Sequence, residues 1–235
     1  MAEETDLDSL IRRVDPDRWL SSRFVGDPAA RADLIALYAF NHELARAAEV
    51  ASQPLIGEMR LAWWREAIDE MAEGRRVRRH PVAQALAGAA RRRGLSREAL
   101  EGLVDARLRD LDGWPLKAEE TMGYVDATAG GLMAAAARTL SPRSDPKSVV
   151  CAARAWGLAG LARLGRLPIE WSAQEVRARV SEALNRGRIE LRGSPVAAFP
   201  AVAHATLSRA YAEGRAPSEL GKRLRLLAAV ARARV

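Results

Sequence analysis

Tyr38-Ala39-Phe40-Asn41-His42-Glu43-Leu44-Ala45-Arg46-Ala47-Ala48-Glu49 is the stretch whose reading decides the fold. It lies within a helix whose start is well marked. Asp27 is a good N-cap, and Pro28 takes the first helical position, where a missing N–H costs nothing. The spacing predicts a helix from there to about Val50, because Leu34, Leu37, Tyr38, Asn41, Leu44 and Ala48 recur at helical intervals. Positions four apart share a face, so His42, Ala45 and Glu49 look the same way. Arg46, three residues before Glu49, is placed to pair with it. His42 and Glu49 are the metal-binding groups that this face offers, but a packed or ion-paired face is the expectation.

Outward from this helix, punctuation continues in the same style and strand signals are scarce. Pro54 opens a second helix that Gly74 closes, with Leu55, Met59, Ala62, Trp63 and Ile68 expected toward one side. His80-Pro81 starts a third, ended by Gly94, and Ser96 caps a fourth, ended near Gly113. A fifth is expected from about Ala118 to Leu140. Its Gly130-Gly131 pair costs about 1 kcal/mol of propensity per glycine, which implies close helix packing or a kink lining a cavity. Asp145-Pro146 begins a sixth, to about Gly165. Ser172-Ala173-Gln174-Glu175 has capping-box spacing for a seventh, ending near Asn185-Arg186-Gly187. Two more cover about Ala197 to Glu213 and Pro217 to Arg234. The expectation is a single all-α domain over residues 17–235, preceded by an N-terminal extension, 1–16.

Composition agrees. The chain has 235 residues, 49% of them hydrophobic, enough for one large helical core. No apolar run approaches the length of a spanning helix. The acidic Met1 to Asp8 is unlike a secretory signal, and the single Cys151 permits no internal disulfide, so a cytoplasmic location is expected. The net charge of +7 is concentrated in arginine clusters: Arg75 to Arg79, Arg91 to Arg93, Lys222 to Arg225, and Arg232 with Arg234. These read as a solvated face or as a basic rim for an anionic membrane surface. Nucleic acid is not expected, since no zinc-finger, RNA-binding or basic-zipper signature accompanies the charge. Nucleotide-binding glycine loops and the Gly-x-Ser-x-Gly elbow are also absent. Cys151 reads as a small packed residue.

The stretch from Tyr38-Ala39-Phe40 to Glu49 resembles the first signature helix of the squalene/phytoene synthase family. That helix reads Tyr-Ala-Phe, four residues, then Asp-Asp-x-x-Asp, whose carboxylates hold Mg²⁺ against a prenyl diphosphate. Here the acidic places carry Ala45, Arg46 and Glu49. Trp156-Gly157-Leu158-Ala159 resembles the start of the family's second motif, Gly-x-Ala-x-Gln-Leu-x-Asn-Ile-x-Arg-Asp. Aligned there, its polar places fall on Leu161, Leu164, Leu167 and Pro168, and no Asp or Glu lies between Asp145 and Glu170. Asp105-Ala106-Arg107-Leu108-Arg109-Asp110-Leu111-Asp112 resembles the family's Asp-rich patch, with Asp105 and Arg109 an expected i,i+4 pair. Tyr124 to Gly130 resembles the family's cavity helix. The resemblance implies an isoprenoid-synthase-like bundle whose ligand-cavity candidates are Tyr38, Asn41, His42, Ala45, Glu49, Asp105, Tyr124, Ala127, Gly130, Gly157 and Leu161. It leaves no catalytic residue and no metal ligand in place.

One branch of the family, the assembly factors of mitochondrial respiratory complex I, matches better than the enzymes do. The matching parts are Ala39-Phe40-Asn41, Glu43-Leu44-Ala45, Ser52, Ile56-Gly57, Met59-Arg60, Trp64, His80 to Ala83, Asp105 to Arg107, Leu111-Asp112 and Phe199-Pro200-Ala201. From about Asp17 this resemblance runs over nearly the whole chain. It implies a non-catalytic role in building NADH:quinone oxidoreductase, with a complex I subunit or assembly intermediate as partner. The former cavity would hold a prenyl lipid or an apolar segment, and no cofactor is implied. Two alternatives stand beside it. One is a Mg²⁺-dependent head-to-head prenyltransferase with unusual ligands, drawn from Glu43, Glu49, Asp105, Asp110 and Asp126. The other is a prenyl-lipid carrier.

Overall fold

The computed structural model describes residues 6–49 and 53–232. Ser52, Arg234, the first five residues and the expected helix end at Val50 lie outside the described residues. Among the described residues there are helices and turns and no strand. The chain divides into two compact units, Met1–Asp112 and Gly113–Val235.

The first unit opens on two helices that the sequence pattern does not announce, α1 (Leu7–Val14) and α2 (Pro16–Ser22). Asp6 caps α1 by accepting from the Asp8 N–H at 3.1 Å, and Asp15 caps α2 with Pro16 at its first position. Ile11 is fully buried, and α1 packs on α3 (Pro28–Glu49). Next come α4 (Pro54–Ala72), α5 (Pro81–Arg93) and α6 (Arg97–Ala106), then a 3-10 turn at Leu108–Asp112. Gly94 ends α5 at φ 65°, a left-handed cap that side-chain-bearing residues adopt only with strain. Helix α3 is central, buried on several sides through Leu34, Leu37, Tyr38, Phe40 and Leu44.

The inward face of α4 differs from expectation. Gly57, Leu61, Trp64, Ala67 and Ile68 are buried, while Leu55 and Met59 are 61% and 65% exposed and Ala62 faces solvent. Apolar residues occur on both sides of this helix, so periodicity alone does not choose a face. Trp64 decides it by packing edge-on against Phe40, with ring centroids 5.1 Å apart.

The second unit comprises α7 (Ala118–Val125), a π-helical segment Asp126–Gly130, α8 (Gly131–Leu140), a 3-10 turn Pro146–Val149 and α9 (Val150–Arg163). It continues with α10 (Ala173–Glu190), 3-10 turns over Val196–Ala201 and Ala203–Leu207, α11 (Ser208–Ala212) and α12 (Glu219–Arg232). The capping box forms as expected. Ser172 Oγ accepts from the Glu175 N–H at 3.2 Å, and Glu175 Oε2 accepts from the Ser172 N–H at 2.8 Å. Helix α10 runs past the expected stop at Gly187, because that glycine has a packing role. A Cβ there would lie 3.1 Å from the Ala152 backbone nitrogen. Helix α9 is buried nearly all round, with Ala152, Ala153, Ala155 and Ala159 fully inaccessible.

Candidate functional site

In the first unit, the signature stretch sits on α3 with its carboxylate chemistry already spent. Arg46 Nη1 lies 3.7 Å from Glu43 Oε1, an ion pair running back along the helix. Ala45 is half-buried and supplies no donor atom, while Glu49 is exposed. His42 is half-buried, and loss of hydration holds its pKa below the ordinary imidazole value, partly offset by Glu43. Tyr38 is 2% exposed, with its hydroxyl unbonded and the Arg18 guanidinium 5.7 Å from its ring. Burial pushes that hydroxyl's pKa well above the usual phenol range, so it stays protonated.

Arg107 organises the neighbouring polar groups. It donates to Asn41 Oδ1 at 3.2 Å and to Asp110 Oδ2 at 3.2 Å, tying α3 to the 3-10 turn. Asp110 is 7% exposed, so its charge needs this partner. Sequence reading nominates Asn41, Asp105 and Asp110 but misses Arg107 as the hub of this cluster; the Asp105-Ala106-Arg107 match carried the signal. Asp105 accepts from Arg65 Nε of α4 at 3.0 Å. Asp105 and Arg109 do not share one α-helix, because α6 ends at Ala106 and a 3-10 turn follows over Leu108–Asp112.

Beside α3 lies an open groove of about 410 Å³, lined by Glu43, Ile56, Met59, Arg60, Trp63, Trp64 and His80. The outward side of α4 supplies its apolar wall. Trp63 stacks edge-on to both Trp64, at 4.9 Å, and His80, at 5.3 Å, so the wall is a rigid aromatic surface.

In the second unit, Asp126 is held bidentate by Arg154, whose Nε and Nη2 each donate at 2.7 Å. Close packing does not occur at Gly130, where a Cβ would meet its nearest neighbour at 3.8 Å. Instead the backbone widens into the π-helical segment, and Thr128 Oγ1 donates to the Tyr124 carbonyl at 2.7 Å. The close approach comes from Gly157 on α9. A Cβ there would stand 2.7 Å from Val125 Cγ1 and 3.0 Å from Ala129 Cβ. Tyr124 is 9% exposed and packs edge-on against Trp114 at 5.4 Å, whereas Ala127 faces outward.

The second-motif positions are equally unsuited to a metal. Leu161 is buried, Leu164 is 60% exposed, and Leu167 and Pro168 lie beyond the end of α9 at Arg163. No group of three or more His, Cys, Asp or Glu placed to hold a metal ion occurs among the described residues. The two motifs thus offer one carboxylate, Glu49, at the positions where the resemblance places acidic ligands. Glu43, Asp105, Asp110 and Asp126, all nominated as substitute ligands, are each in an ion pair with an arginine. Cys151 is not poised as a nucleophile. Its thiol donates to Glu190 at 3.0 Å, and burial, reinforced by that carboxylate, pushes its pKa up to about 11.

Comparison with known proteins agrees with this picture. The family model described as squalene/phytoene synthase matches residues 11–166. A dehydrosqualene synthase crystal structure shares the fold, with a TM-score of 0.73 at 15% identity, covering 98% of this chain and 95% of that one. The fold thus extends through both units. Similar curated proteins are "NADH dehydrogenase (ubiquinone) complex I, assembly factor 6" from Bos taurus, 32% identical over 126 residues, and from Homo sapiens, 31% identical over 126 residues. A homolog from Dictyostelium discoideum is 27% identical over 124 residues. The bovine and human matches cover 53% of this chain and 37% of each relative, so the sequence match is shorter than the near-complete resemblance expected. The chain belongs to the squalene/phytoene synthase family.

Proposed function

We propose that this protein assists the assembly of a respiratory NADH:quinone oxidoreductase by binding, without turning over a prenyl diphosphate and without a metal cofactor. The observation that carries the reading is the state of the carboxylates. Bracketing a diphosphate leaving group requires clustered oxygen ligands free to take Mg²⁺. Here one motif carboxylate position is alanine and another is arginine, and four candidate substitutes are neutralised by guanidinium groups. The similarity to proteins named as complex I assembly factors supports the choice of partner.

The groove beside α3 gives the reading a physical means. Its apolar wall of Ile56, Met59 and Trp63 suits a prenyl chain or an apolar segment of a subunit. No described helix is long and apolar enough to cross a membrane. We assign attachment at the inner face of the membrane to the basic surface.

The test is a deletion strain. The expected outcome is loss of assembled, active NADH:quinone oxidoreductase, restored by the gene. An intact complex in the deletion strain, or Mg²⁺-dependent product from a C15 or C20 prenyl diphosphate, would overturn the reading.

A further inference from the structure

A second concavity lies within the second unit, away from the motif positions. Helices α10, α11 and α12 enclose a cleft of about 480 Å³ whose charged lining is Arg188, Arg209, Arg215, Arg225, Arg232 and Glu213. Five guanidinium groups thus share one opening with a single carboxylate, and Arg215 already engages that carboxylate.

The placement is built by helical register. Arg225 and Arg232 are seven residues apart on α12, so they look the same way, with Ala228 and Ala229 between them. Arg188 stands one turn beyond Leu184 on α10, and Arg209 is held by its contact with Ser181 Oγ at 3.1 Å. Neither Arg225 nor Arg232 has a carboxylate partner among the described residues. The floor is apolar: Leu184, Ala210 and Ala229 are at most 5% exposed. Like charges gathered over an apolar floor repel with less screening than in open water. An anion entering the cleft relieves that repulsion. The planar fork of arginine matches phosphate oxygens two at a time.

We propose that this cleft is a binding site for a phosphate group, of the kind carried by an anionic phospholipid headgroup or by a soluble polyphosphate. The apolar floor accommodates the first carbons attached to such a group. The inference uses none of the groove or motif residues; for a lipid headgroup it deepens the membrane attachment proposed above, because Arg225 and Arg232 belong to that basic surface.

The experiment uses the full chain and two probes. One is sedimentation with phosphatidylcholine vesicles containing or lacking phosphatidylglycerol. The other is calorimetric titration with inorganic pyrophosphate. The variant Arg225→Ala/Arg232→Ala is compared with Arg76→Ala/Arg79→Ala, which removes the same charge from exposed positions in the first unit. Arg225→Gln/Arg232→Gln repeats the comparison with polar side chains retained, and circular dichroism checks folding.

The cleft variants are expected to lose about tenfold or more in affinity, and the control pair less than about twofold. Loss confined to the vesicle arm identifies a headgroup, and loss of pyrophosphate binding identifies a soluble phosphate. Failure of the wild-type chain to bind either probe would overturn the proposal. Equal weakening by the cleft and control pairs would also overturn it, because that is the signature of diffuse surface charge.

Discussion

Asp33 shows what single arginines do in this molecule. It is 1% exposed, and Arg92 Nε and Arg93 Nε of α5 donate to it at 3.1 and 2.7 Å. The arginine run at 91–93, which reads in sequence as a solvated or membrane-facing cluster, is in part an internal clamp. Arg78 behaves likewise, reaching both Glu66 and Glu70. Asp33→Asn removes the charge while keeping the shape, and is expected to lower unfolding free energy by about 2 kcal/mol. Urea denaturation measures this, and an unchanged midpoint would contradict the clamp. His42 supplies a pH dependence of known sign. Burial depresses its pKa in the folded chain, so the unfolded chain takes up a proton first as pH falls. Stability is therefore expected to decline below about pH 6.5 through this group. His42→Gln should flatten that part of the profile, and identical slopes in the two proteins would contradict the assignment.

At the scale of elements, most helices are legible in the sequence because their ends carry local chemistry. Asp27-Pro28, His80-Pro81, Gly94 and the Ser172–Glu175 box all act within a few residues. The illegible features depend on neighbours. The inward face of α4 is chosen by Phe40, and the run of α10 through Gly187 by the backbone of α9. The π-helical segment depends on packing against Gly157 and on a side-chain bond to a carbonyl. Gly157→Ala places a methyl against Val125 and Ala129 and is expected to destabilise the protein by about 1–3 kcal/mol. A thermal midpoint equal to the wild type would show that this contact yields freely. On α4, Ile56→Glu/Met59→Glu changes only exposed or partly exposed wall residues. Its unfolding free energy is expected to stay within about 0.5 kcal/mol per site, while assembly of the oxidoreductase is lost. Normal assembly with this variant would remove the groove from the mechanism.

At the scale of the whole molecule, the chain keeps the architecture of a synthase family and carries other residues at most positions of its carboxylate motifs. The candidate site is legible in the sequence as an absence, because Ala45, Arg46 and the leucines after Gly157 stand where polar ligands belong. The partners of the remaining carboxylates are not legible there, since Arg65–Asp105 and Arg154–Asp126 join residues far apart in sequence. The central claim is that binding without metal-dependent turnover is the function. The measurement that tests it most directly is native-gel size and NADH:quinone oxidoreductase activity in membranes of a deletion strain carrying a Glu49→Ala copy. The account predicts full-size, active complex, equal to that restored by the wild-type gene. Restoration by the wild-type gene but not by this copy would contradict it, and would return Glu49 to a catalytic role.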